Sequence, residues 1–181
     1  MASVFAHAVF ALAANQAFPA PQRVAKIAAI GMFCAVLPDA DVIAFSFGIP
    51  YRHVLGHRGI THSLAFAALL APLLAWLCQP REKLWDRSGI LLSIYFFIAT
   101  ASHGLLDAMT TGGAGVAFFA PFENGRHFLP WRFIQVSPIG AGNFFSEWGL
   151  RVLKSEFVWV MLPSFIFALV AYAWRRIRPQ A

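Results

Sequence analysis

The stretch Ser102-His103-Gly104-Leu105-Leu106-Asp107-Ala108-Met109-Thr110-Thr111-Gly112-Gly113 closes a long apolar run, Ile90 to Ala101. If the run is helical, His103 and Asp107 are four apart and share one face, one turn above the other. Gly112-Gly113 then ends the helix. An imidazole and a carboxylate at the end of a membrane-length helix are costly to keep there. The pair alone leaves two readings open, a bound metal ion or a satisfied His–Asp hydrogen bond.

The 181 residues leave room for one domain, and 59% of them are hydrophobic while 12% are charged. A soluble domain carries about twice that charged fraction. The charges cluster between long apolar runs, which predicts an integral membrane protein. The net charge of +6 then reads as membrane topology. No basic stripe interleaved with aromatics appears, so nucleic acid is not an expected partner. Cys34 and Cys78 sit inside apolar runs without a CxxC pattern and read as buried thiols. No Lys or Arg precedes the first apolar run, so that run reads as a retained helix and not a signal peptide.

The expected fold is an all-α, polytopic membrane bundle of about five helices with a long interfacial loop region. The helices are expected over Ser3–Ala17, Gln22–Leu37, His62–Gln79, Ser88–Met109 and Phe157–Trp174. Pro38 ends the second, Thr61 would cap the third, and Pro38–Ile60 is a polar loop between them. Thr110–Ser155 is rich in Gly, Phe and Trp and reads as an irregular interfacial roof. The chain thus divides into a motif-bearing core over 1–113, an interfacial region over 114–155 and a C-terminal helix over 156–175, one domain over 1–181.

Orientation follows from the basic residues. Arg175, Arg176 and Arg178 place the C-terminus in the cytoplasm. Five crossings then put Arg23 and Lys26, and Arg81, Lys83 and Arg87, on the same side. His7, Asp39, Asp41, His57, His62, His103 and Asp107 all arrive at the opposite surface, while Glu82 and Asp86 fall on the cytoplasmic one. Scattered structural polar residues need not converge in this way, and the convergence favours a metal site.

Imidazole and carboxylate are the usual ligands of catalytic zinc, and manganese also suits carboxylate-rich mixtures. The metal lowers the pKa of its water enough to give hydroxide near neutral pH, and two ions could clamp a phosphoryl group. One of Asp39 and Asp41 would ligate while the other orients a histidine or takes a proton from water. In His57-Arg58-Gly59-Ile60-Thr61-His62-Ser63, Gly59 would turn the chain, and Thr61 and Ser63 would hold ring nitrogens. Arg58 would fork onto phosphate, or simply snorkel at the interface. Arg132 is a weaker anion clamp. His53 and His127 read as surface histidines, and the spacing of Glu123 and Glu147 argues for no role. Neither a Gly-x-Ser-x-Gly elbow nor a His-Glu-x-x-His helix is present.

At His7, Leu37-Pro38-Asp39-Ala40-Asp41, His57-Arg58-Gly59-Ile60-Thr61-His62-Ser63 and Ser102-His103-Gly104-Leu105-Leu106-Asp107 the chain resembles the YdjM-like, LexA-regulated, membrane-bound metal-dependent hydrolases of bacteria. The resemblance spans Met1 to Gly113. The ligand order is also similar to that of the zinc-dependent phospholipase C and S1/P1 nuclease group, without its second downstream His-x-x-x-Glu. The resemblance implies a hydrolase of the bacterial inner membrane, holding one or two Zn2+ (or Mn2+) at the periplasmic face. Metal hydroxide there would attack a phosphoester of a lipid substrate. In that reading His7, His57, His62, His103, Asp107 and one of Asp39 and Asp41 hold metal, and Arg58 steadies phosphate. The alternative is an ion or small-solute transporter using the same cluster.

Overall fold

The computed structural model describes residues 1–79 and 85–177. Their regular elements are α1 (Val4–Asn15), α2 (Ala25–Val36), α3 (Leu64–Cys78), α4 (Arg87–Ala108), α5 (Ala141–Phe144), α6 (Glu147–Glu156) and α7 (Leu162–Ile177). No strand forms among the described residues, only the isolated bridges Thr110–Ile134 and Val116–His127. Three helical stretches are long and apolar enough to cross a membrane: Ala25–Phe47, Arg87–Ala108 and Glu147–Ile177. The apolar helices Val4–Asn15 and Leu64–Cys78 are shorter. The protein is a helical membrane bundle.

Helix α4 is its centre and packs on α1, α2 and α3. The carboxylate of Asp86 starts it by accepting from the Gly89 N–H at 2.9 Å. Small buried residues, Ala99, Thr100, Ala101, Ser102 and Gly104, let neighbouring backbones close on its last turns. At the other end of α4 the core is apolar, with Phe18, Ile27, Ala75, Leu92, Tyr95 and Phe96 packed together. Cys34 lies in that cluster and Cys78 packs against it, both as free thiols.

Three boundaries differ from the sequence reading. Pro38 does not end the second span. The helix tightens there into a 3-10 stretch over Leu37–Phe47, where a proline near the start forfeits no needed N–H. Ser63, not Thr61, caps α3, its Oγ accepting from the Phe66 N–H at 3.0 Å. The Thr110–Ser155 region is not wholly irregular. Helix α6 begins at Glu147 and runs through a π turn, Phe157–Met161, into α7. Glu147 in the first turn complements the helix dipole. Of the basic residues used for orientation, Arg81, Lys83 and Arg178 lie outside the described residues, as does Glu82.

Gly104 decides how the Ile60–His62 turn meets α4, since a Cβ there would lie 2.8 Å from the His62 carbonyl oxygen. Gly104→Ala is therefore expected to push this turn off the helix and destabilise the protein by about 1–3 kcal/mol. An unchanged thermal midpoint in detergent would contradict this contact.

Candidate metal centre

Four side chains from three parts of the chain meet above the end of α4. His103 and Asp107 come from α4, Asp39 from the 3-10 stretch after α2, and His62 from the turn before α3. One ligand atom from each lies within 4.8 Å of all the others. The His103 Nε2 stands 3.2 Å from Asp39 Oδ1, and the His62 Nε2 stands 3.7 Å from both Asp39 Oδ1 and Asp107 Oδ2. His7, on α1, stacks its ring on His103 at 3.8 Å and brings its Nε2 to 3.6 Å from Asp107 Oδ1. None of these side chains is more than 7% exposed.

The inner face of the cluster is left unsatisfied. Both oxygens of Asp39, Oδ2 of Asp107, Nε2 of His62 and His103, and both nitrogens of His7 are buried without a hydrogen-bond partner. Buried polar atoms of this kind are costly unless something binds them. On His62 and His103 the other ring nitrogen is held, whereas on His7 neither is. His103 Nδ1 lies 2.6 Å from the Ala35 carbonyl, which can only accept. That fixes a proton on Nδ1 and leaves Nε2 facing the site. His62 Nδ1 likewise faces Asp41 Oδ2 at 3.2 Å.

Asp41 belongs to the layer behind. Its Oδ2 accepts from the Arg58 N–H at 3.1 Å and the Thr61 hydroxyl at 2.7 Å, and its Oδ1 lies 2.7 Å from His57 Nδ1. Asp41, His57 and His62 are close enough to form a second group able to hold an ion, but their facing atoms already satisfy one another. Ser63 does not touch a ring. Its hydroxyl donates to the Ile60 carbonyl.

Arg58 is wholly buried and turned onto the protein, not toward an open anion site. Its Nε lies 2.8 Å from Asp107 Oδ2, an ionic contact without hydrogen-bond alignment. Nη1 and Nη2 donate to the Gly112 carbonyl and the Thr110 hydroxyl, each at 3.0 Å. The turn at this point is shared by Gly59, where a Cβ would clash with the Val54 carbonyl oxygen, and Arg58, at φ 61°. Such a backbone costs about 1–3 kcal/mol and persists only where its surroundings enforce it. Here Arg126 enforces it, donating to the carbonyls of His57 and Arg58 on one side and of Tyr51 and His53 on the other. Arg132 is exposed and holds the Thr110 carbonyl. His53 is exposed, and His127 is exposed and 3.7 Å from Glu123.

A family model described as YdjM inner membrane protein matches residues 1–178. The chain belongs to the YdjM family. It is 37% identical over 177 residues to the "Inner membrane protein YbcI" of Escherichia coli, an alignment covering 97% of this chain and 99% of that protein. No solved structure matches. The YdjM description names a membrane and no reaction, so any chemistry must be argued from the side chains.

In this YdjM-family chain three carboxylate side chains, Asp39, Asp41 and Asp107, crowd around His62, and of these Asp107 is contacted by the Arg58 guanidinium. His62 responds to that excess. Burial alone would lower its pKa, but the carboxylates of Asp39, Asp41 and Asp107 outweigh burial and push it up to about 9. Without metal, the proton on Nε2 does part of what a divalent cation would do. Because the folded pKa lies above the unfolded value, this proton stabilises the metal-free fold fully below pH 6.5 and the effect fades as pH climbs through about 9. A metal must displace that proton. Zinc affinity is therefore expected to rise by up to about tenfold per unit between pH 7 and 9, then level off. Competition with a chromogenic chelator across this range reads the slope, and an affinity independent of pH would count against His62 Nε2 as a ligand.

Proposed function

We propose that this protein is a membrane-embedded, metal-dependent hydrolase that cleaves a phosphoester of a lipid at the non-cytoplasmic face. The observation that carries the reading is the set of buried, unpartnered ligand atoms on Asp39, His62, His103 and Asp107, close to one another, with the unpartnered His7 beside them at 3.6 Å from Asp107. These five residues would hold a single ion, with zinc the best match to three imidazoles and two carboxylates and manganese the second. When bound, such an ion acts as a Lewis acid and makes water a nucleophile near neutral pH.

The chain's own residues have separable tasks. Asp41 fixes the proton of His62 on Nδ1 and, with Thr61, holds the ring edge-on to the site. His57 holds the other oxygen of Asp41. Arg58 balances Asp107 and keeps its carboxylate from turning away. Asp39, with neither oxygen engaged, is the residue free to ligate through one oxygen and accept a proton at the other.

A lipid substrate is supported by an apolar groove of about 490 Å³ between α1, α4 and α7. Its wall includes Phe10, Leu106, Met109, Val160 and Phe167. Phe10 lies one turn from His7, and Leu106 precedes Asp107, so a hydrocarbon chain there would run toward the centre. The transporter reading is less well supported. A passing ion needs polar groups through the bundle, and the far half of α4 is packed in Phe18, Ile27, Leu92, Tyr95 and Phe96.

Purified protein offered phospholipids and isoprenoid phosphates in detergent is expected to release phosphate or a phosphorylated headgroup. The activity should vanish in chelator and return with Zn2+ or Mn2+. Asp41→Asn should weaken metal binding about 10–100-fold, and His103→Ala should lose the ion. Hydrolysis that persists in chelator would reject the mechanism. Bound metal with no hydrolysis of any ester would make the ion structural.

A further inference from the structure

Glu156 is a wholly buried acid that the proposed chemistry leaves unused. A carboxylate buried within a membrane-length helix is expensive, and its partner shows what it is for. The bundle-facing residues of this helix are Val152, Glu156, Val160 and Ser164, each four apart. A four-residue step overshoots a 3.6-residue turn by about 40°, so a straight α-helix would swing this row off the bundle. The wider π turn at Phe157–Met161 absorbs the excess, so Val160 and Ser164 stay on the buried side with Glu156, which faces the start of α1.

There, both carboxylate oxygens are taken by one residue. Oε1 accepts from the Ser3 N–H and Oε2 from the Ser3 hydroxyl, each at 2.5 Å. The adjacent residue, Ala2, donates its N–H to Asp107 Oδ1 at 2.6 Å. A continuous link therefore runs from the C-terminal span, through two residues of backbone, to a carboxylate of the candidate metal centre. We propose that Glu156 is a positioning residue. It pins Ser3 so that the Ala2 N–H occupies Asp107 Oδ1, leaving Oδ2 as the oxygen turned to the site. The functional meaning of this clamp rests on the metal reading, while the clamp itself does not.

Two measurements test it. In chelator, a double-mutant cycle of Glu156→Ala with Asp107→Ala, which removes the acceptor of the Ala2 N–H, reads the link without any metal. The loss or gain in Tm caused by Asp107→Ala should shrink to less than about half once Glu156 is gone, because the two sites are coupled although they do not touch. Simple additivity would overturn the clamp. In Co2+-substituted protein, Glu156→Ala should change the visible absorption and weaken Co2+ binding about 10–100-fold, whereas Glu156→Gln should stay within about threefold because its amide oxygen still accepts from the Ser3 N–H. Ser3→Ala, which removes only the hydroxyl bond, should move both readouts in the same direction by less, and serves if Glu156→Ala does not fold. Asn15→Ala, at the far end of α1 where Asn15 donates to the Gln22 carbonyl, should lower Tm with neither change. An unaltered Co2+ spectrum and affinity in folded Glu156→Ala or Ser3→Ala protein would also overturn the proposal. If wild-type protein takes up no Co2+, the metal reading fails, and the Tm cycle still decides the clamp.

Discussion

Two carboxylates, Asp39 and Asp107, are buried together at the end of a membrane helix, and the Arg58 guanidinium reaches Asp107. Charges in such a place are tolerated only when paired and hydrogen-bonded. Much of the local structure can be understood as meeting that demand. Arg58 is held in a strained backbone conformation so that its guanidinium reaches Asp107. His62 is driven to keep an extra proton at a pH where an ordinary imidazole has lost it. Neither fully answers Asp39, whose oxygens find no hydrogen bond in the protein.

The protein satisfies the outer edges of its rings and leaves the inner edges bare. The Ala35 carbonyl and Asp41 each hold one nitrogen of a histidine and so leave the other nitrogen facing inward. A cluster meant only to be a hydrogen-bond network would use those inner atoms on each other, but the His103 Nε2–Asp39 Oδ1 contact at 3.2 Å makes no hydrogen bond and the other contacts, at 3.6–3.7 Å, are too long for one. They are spaced as atoms that share a small ion would be. Gly104 contributes by having no side chain, which lets the His62 turn settle on α4 beside His103.

Much of this was legible in the sequence because it depends on helical periodicity. His103 and Asp107 share a face by their spacing, and the other candidates were placed at one end of the bundle by counting crossings. What escaped depended on contacts between distant residues or on departures from the α-helix. The 3-10 stretch after Pro38 carries Asp39 inward while Asp41 turns to the layer behind, and nothing in the Pro-Asp-Ala-Asp pattern separates the two. Arg58 looked like an anion clamp because its burial and its partners Thr110 and Gly112, more than fifty residues on, have no local signature. Helix α6 was hidden by the Gly- and aromatic-rich stretch before it, although Ser146, Glu147 and Lys154 give its ends. Glu156 stood at the start of an apolar run with no periodic partner, and its partner is the third residue of the chain.

X-ray absorption at the zinc edge of zinc-loaded protein tests the central claim most directly, because it reports what surrounds the ion. The account predicts a nearest shell of nitrogen and oxygen only, at about 2.0–2.2 Å, with the outer-shell scattering of at least two imidazole rings. A sulfur shell near about 2.3 Å, or an oxygen shell without imidazole scattering, would contradict it.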